Sequence, residues 1–165
     1  MCTIFLVDDS EEIRKCLSVM IQRTEERYIV YGFSSVSEAR EKLDDLKPSV
    51  IVLDLMLKNG ENGSDIFESF VENNCVVIVY SGMRLRPDEE AELIRRGATW
   101  VFNKPMDMKL IMTYIWRAEK LSRGVRLMKK AGRVSTNLLE ETRNSILKLS
   151  EYVRNKKNDP ATAKA

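Results

Sequence analysis

Five polar residues stand at the ends of apolar runs in this chain of 165 residues: Asp8, Asp9, Asp54, Ser81 and Lys104. Taken singly each is ordinary, since an acid after a strand often caps a helix, Ser-Gly often makes a turn and Lys-Pro often opens a loop. Brought together they would form a reactive set. Three clustered carboxylates repel one another unless a cation neutralises them. Mg²⁺ suits such a site, because it takes one or two carboxylates and completes its shell with water and phosphate oxygens. A carboxylate can also act as a nucleophile and form an aspartyl phosphate. A lysine ammonium and a serine hydroxyl would then hold the phosphoryl oxygens. In such chemistry the protein supplies positioning and charge neutralisation.

The elements that must gather these residues are legible in the hydrophobic pattern. Runs 3–7, 28–31, 50–53, 76–80 and 99–102 read as strands, and several are continuously apolar. That is the mark of strands buried on both faces of a parallel sheet. Between them lie amphipathic segments with recognisable starts. Ser10 caps a helix carrying Ile13, Leu17, Met20 and Ile21, and Ser35 with Glu38 forms a capping-box pattern before Ala39, Leu43 and Leu46. Ser64 precedes Phe67, Phe70 and Val71; Pro87 opens a helix with three acids behind it, which Gly97 should end. Strict alternation predicts an α/β fold, a doubly wound five-stranded parallel sheet. Ligands of such sheets bind beyond the carboxyl ends of the strands, where all five polar residues fall.

Composition narrows the chemistry further. The sequence has no histidine, which removes His-based acid–base catalysis, most zinc sites and a phosphohistidine relay within the chain. Cys2, Cys16 and Cys75 lack metal-ligand spacing and read as reduced thiols, Cys16 and Cys75 in apolar surroundings. No stretch reaches the roughly 18 apolar residues of a membrane span, and no signal peptide is recognisable, so a cytoplasmic protein is expected. Charge is unevenly spread. Residues 1–105 carry 13 Lys and Arg against 19 Asp and Glu, whereas 106–165 carry 14 against 6. The basic part either meets something acidic or is a solvated helix.

After Pro105 the pattern is helical only. Asp107 is positioned to cap a helix running to about Lys130, and Ser135, Thr136 and Asn137 offer caps for another. Ile111, Tyr114, Ala118, Leu121, Val125 and Met128 are spaced like a coiled-coil seam, as are Leu139, Thr142, Ile146, Leu149 and Val153. Before Leu121 the simpler reading is packing of this helix on the sheet. A continuous helix through Gly132 would cost only about 1 kcal/mol, but the capping signals favour two helices. The expected organisation is a domain at 1–120, a coiled-coil or hairpin extension at 121–157 and a disordered tail at 158–165.

With these residues in order, the chain resembles the receiver domains of two-component response regulators over about residues 3–120. The resemblance implies the flavodoxin-like receiver fold, with Asp54 as phospho-acceptor and Mg²⁺ held by Asp8, Asp9, Asp54 and the main-chain carbonyl of Met56. It implies Ser81 as the switch hydroxyl and Lys104 as the phosphate-binding lysine, and it makes Asp9 the direct acidic-pair ligand, with Asp8 acting largely through water. Lys58 replaces a proline usual in the family, the loop at 56–63 is one residue longer, and Val101 stands where an aromatic residue often serves as readout. The function implied is a phosphorelay signalling switch, not an enzyme beyond self-catalysed phosphoryl transfer and slow autodephosphorylation. Its donor would be a sensor histidine kinase or phosphotransfer protein. Output would pass through protein–protein contacts or homodimerisation by the C-terminal helices. One alternative is a transcriptional or RNA-binding regulator using the basic C-terminal helices, although aromatic-interleaved basic patches are lacking. Another is a Mg²⁺-dependent phosphohydrolase, which would want an acid where Met56 stands.

Overall fold

Each apolar run forms a strand in the computed structural model, which describes residues 1–58, 60–63, 67–73, 75–105 and 108–130. The strands are β1 (Cys2–Val7), β2 (Tyr28–Phe33), β3 (Val50–Leu53), β4 (Val76–Ser81) and β5 (Ala98–Asn103). They form one parallel sheet in the order β2-β1-β3-β4-β5. The helices are α1 (Glu11–Thr24), α2 (Val36–Glu41), α3 (Leu43–Leu46), α4 (Phe67–Glu72), α5 (Pro87–Arg96) and α6 (Met108–Lys130). The doubly wound α/β architecture is thus the one expected.

Side-chain alternation explains why the central strands are apolar throughout. Phe5, Val7, Ile51, Leu53, Val77 and Val79 face one way, packing with Val36, Ala39 and Leu43 of α2 and α3, Phe67 and Phe70 of α4, and Leu93 of α5. Ile4, Leu6, Val50, Val52, Val76 and Ile78 face the other way, against Leu17 and Ile21 of α1 and Ile111, Ile115 and Ala118 of α6. Burying both faces is the main source of stability, since a fully buried Leu, Ile or Phe side chain contributes about 1.5–3 kcal/mol.

Helix starts follow the local chemistry. The Ser10 hydroxyl accepts the Ile13 N–H at 3.3 Å, and that of Ser35 accepts the Glu38 N–H at 3.2 Å. Glu38 turns back one residue further than a capping box requires, to the Ser34 N–H. Pro87 does open α5, and Gly97 ends it with φ 128°. The predicted segment after Ser35 divides at Lys42 into α2 and α3, and α3 closes at Lys47 with φ 44°.

Two further differences have clear causes. Cys16 is exposed rather than apolar-packed, because Ile13, Leu17 and Ile21 define the inward stripe of α1 and position 16 falls beside it. β2 extends to Phe33 because it pairs with β1 along its whole length. Residues Met1–Gly124 form one unit that contains the entire sheet. The proposed caps Ser64 and Asp107, the second C-terminal helix and the tail lie outside the described residues.

Candidate functional site

Strand order reverses between β1 and β3, the two strands whose ends carry acids. Val7 and Leu53 are register partners, so the next residues, Asp8 and Asp54, emerge side by side. The Asp54 N–H donates to the Val7 carbonyl at 2.8 Å, carrying the ladder one step further. Leu53 is in register with Val79 and Ser81 with Asn103, which brings Ser81 and Lys104 to the same end of the sheet. The Lys104 N–H donates to the Ser81 carbonyl at 2.8 Å, and the Lys104–Pro105 peptide is cis.

Asp54 is 6% exposed, and both its carboxylate oxygens are engaged. One oxygen accepts the Ser81 hydroxyl at 2.7 Å and the Met56 N–H at 3.0 Å. The other accepts the Lys104 ammonium at 2.5 Å. The same ammonium donates to Asp8 Oδ2 at 2.6 Å, while Asp8 Oδ1 takes the Ser10 N–H at 2.9 Å. Asp9 is half-buried and pairs with Lys58 at 3.4 Å.

Burial pushes the Asp8 carboxyl above its ordinary range, opposed by the hydrogen bonds from Lys104 and Ser10 and reinforced by the Asp54 charge. For Lys104, burial alone would lower the pKa, yet the hydrogen bonds to Asp54 and Asp8 outweigh it and the net direction is upward. The lysine is therefore a fixed cation between two acids.

Carboxylate oxygens of Asp8, Asp9 and Asp54 lie within 4.8 Å of one another. Hard oxygen donors at that spacing fit a divalent cation. Of the six residues expected at the site, the five polar side chains are brought together, and exposed Met56 lies beside them with its N–H on the Asp54 carboxylate. The flanking residues also alternate as strand geometry demands: Val101 packs into the core face shared with α5, whereas Trp100 and Phe102 contact Tyr114 of α6, at 5.3 and 4.5 Å between ring centroids.

Sequence reasoning missed two participants. Glu61 accepts the Val36 N–H at 2.7 Å and the Ser37 hydroxyl at 2.5 Å, tying the loop after Asp54 to the start of α2. Arg14 donates to the Asp8 carbonyl, bracing the acidic pair from α1. Neither has a local signal, because each partner is distant in sequence or is a main-chain atom.

The model of the response regulator receiver domain matches residues 4–116, most of the chain. The chain belongs to this family. Receivers of this kind are signalling switches of two-component systems. Among curated proteins, this receiver is 29% identical over 106 residues to protein-glutamate methylesterase/protein-glutamine glutaminase 3 of Leptospira interrogans, covering 64% of the chain and 30% of that protein. It is 28% identical to the oxygen regulatory protein NreC of Staphylococcus haemolyticus, covering 66% of the chain and 51% of that protein. The chain thus spans between about a third and about half of the length of these relatives. Among solved structures it is similar to the beryllofluoride-activated NtrC4 receiver domain dimer, with TM-score 0.65 and 29% identity over 74% of the chain and 99% of that structure. A CheY-like receiver from Methanospirillum hungatei JF-1 shares the fold at TM-score 0.66 and 17% identity, covering 75% and 98%. Among the described residues no helix is long and apolar enough to cross a membrane.

Proposed function

We propose that the chain is a phosphorylation switch in which Asp54 accepts a phosphoryl group beside Mg²⁺. The carrying observation is the Asp54 carboxylate, which belongs to a metal-competent acidic cluster and also accepts hydrogen bonds from Ser81 and Lys104. Asp8, Asp9 and Asp54 would hold the ion, with the Met56 carbonyl as a further ligand. When bound, the ion would neutralise charge on the acceptor and on the incoming group.

Each protein group then has a distinct task. Asp54 supplies the attacking oxygen; its bond to phosphorus forms as the phosphorus–nitrogen bond of the donor's phosphohistidine breaks, the donor imidazole leaves, and the phosphoryl group is kept as a mixed anhydride. Lys104, whose raised pKa keeps it charged, stays as counter-ion to the anion formed. The Ser81 hydroxyl donates to Asp54 before reaction and can follow a phosphoryl oxygen afterwards, drawing its loop along. The donor would be a sensor histidine kinase or a phosphotransfer protein.

For output, we propose association through the face formed by α5, β5 and α6 together with the C-terminal extension, from about residue 121 to 157. The dimeric state of the NtrC4 receiver supports a homodimer as one form. A shift in association requires different interactions in the two phosphorylation states. With Val101 in the usual aromatic position, that difference should rest less on a ring moving inward and more on movement of the Ser81 loop.

Metal dependence tests the reading. Incubation with acetyl phosphate should add one phosphoryl group in Mg²⁺ and none in excess chelator. Equal labelling in both would contradict the proposed site.

A further inference from the structure

The loop after Asp54 presents a second ammonium to the acidic cluster. Leu55 and Leu57 are buried, so Met56 and Lys58 point outward, as in an extended segment. Met56 pairs antiparallel with Asn62, the Gly60 N–H donates to the Leu57 carbonyl at 3.3 Å, and the Gly63 N–H to the Leu55 carbonyl at 3.0 Å. A Cβ built on Gly63 would fall 2.1 Å from the Asp54 carbonyl oxygen, so the returning arm lies directly against the acceptor's backbone. Glu61 fixes the far side of the loop to Val36 and Ser37. Held on both arms, the loop places Lys58 Nζ 3.4 Å from Asp9 Oδ2.

The three carboxylates are therefore shared between two lysines. Lys104 takes Asp8 and Asp54, and Lys58 takes Asp9. Their exposures differ sharply, at 15% for the Lys104 side chain and 77% for Lys58. An ion pair that exposed is weak and is readily exchanged.

Resting on the switch function proposed above, we infer that Lys58 is a tethered counter-ion that competes with the divalent cation for Asp9 and so sets the metal affinity of the switch. An ion approaching Asp9 meets the ammonium first and has to displace it. Lys58 is thus a positioning residue of the metal site, weakening ion binding without contributing a ligand.

Calorimetric titration of the chelator-stripped full chain with Mg²⁺ tests this on wild type, Lys58→Arg, Lys58→Met and Lys58→Glu. Lys58→Met should bind Mg²⁺ about threefold more tightly, the scale of one exposed ion pair. Lys58→Glu should bind more tightly still, and Lys58→Arg like wild type. Equal or weaker binding by Lys58→Met, with an unchanged thermal midpoint, would overturn the inference. Absence of Mg²⁺ binding in wild type and variants alike would instead overturn the proposed function, and the inference with it.

Discussion

Asp8 is the residue at which the electrostatic cost of the acidic cluster is most exposed to measurement. Burial raises its pKa above 3.8, so the folded protein holds that proton more tightly than the unfolded chain does. The contribution of Asp8 to stability should therefore fall as pH rises from about 3.8 through the raised value. Lys104 follows the same sign in its own, higher range. Its raised pKa contributes stability fully below 10.5, and that contribution is lost only as pH climbs through the raised value. Lys104 thus stays charged throughout the Asp8 titration. In chelator, Asp8→Asn should gain thermal midpoint relative to wild type as pH moves from the acid range towards neutrality, since the amide has no charge to desolvate. A gap independent of pH would remove Asp8 from the strained set. With Mg²⁺ present at neutral pH the order should reverse, because wild type then gains a ligand-bound ion that the variant binds less well.

At the scale of elements, the loop between β3 and α4 depends on Glu61 in a way that its own sequence does not announce. The hydrogen bonds from the Ser37 hydroxyl and the Val36 N–H hold the Glu61 carboxyl below its usual range. The depressed pKa gives stability that is present above 4.5 and lost as pH falls through the folded value. Glu61→Ala should lose about 1 kcal/mol at neutral pH, the usual effect of removing a helix N-terminal acceptor. Denaturant melts should show the difference shrinking in acid; a constant difference would mean that the ionised carboxylate is not what closes the loop. Gly63→Ala acts on the other arm. Its Cβ would meet the Asp54 carbonyl oxygen at 2.1 Å, a backbone atom that cannot rotate away. Loss of about 1–3 kcal/mol is expected from such overpacking, together with weaker Mg²⁺ binding as Asp54 shifts. Unchanged stability and affinity would show that the loop relaxes freely.

Across the whole molecule, what was legible in the sequence follows the range of the forces involved. The five strands and the convergence of the five polar residues were readable because burial on both faces leaves uninterrupted apolar runs, and a parallel sheet sends every strand end to one side. Ser10 and Ser35 were readable as caps because capping is local. The division at Lys42, the reach of Glu61 to α2 and the meeting of Lys58 with Asp9 were not, since each depends on tertiary packing. The helical stripe from Ile111 was ambiguous for the same reason. In the fold, Ile111 and Ala118 pack on the sheet with Ile115, while Tyr114 and Leu121 flank them. Ser122 is buried as well, so a cut after Gly124 keeps the receiver unit whole. The protein ending at Gly124 should still take up phosphoryl groups on Asp54 but lose any phosphorylation-dependent self-association. Light scattering of both lengths, with and without donor, checks this. Identical association by the shortened chain would exclude the extension as the output element.

The assignment of Asp54 as acceptor is tested most directly by intact-mass spectrometry of wild type and Asp54→Asn after incubation with acetyl phosphate and Mg²⁺. Asparagine keeps the shape of the side chain but not the nucleophilic carboxylate. Wild type should gain the mass of one phosphoryl group and Asp54→Asn none. An equal adduct on both proteins would place the acceptor elsewhere and contradict the account.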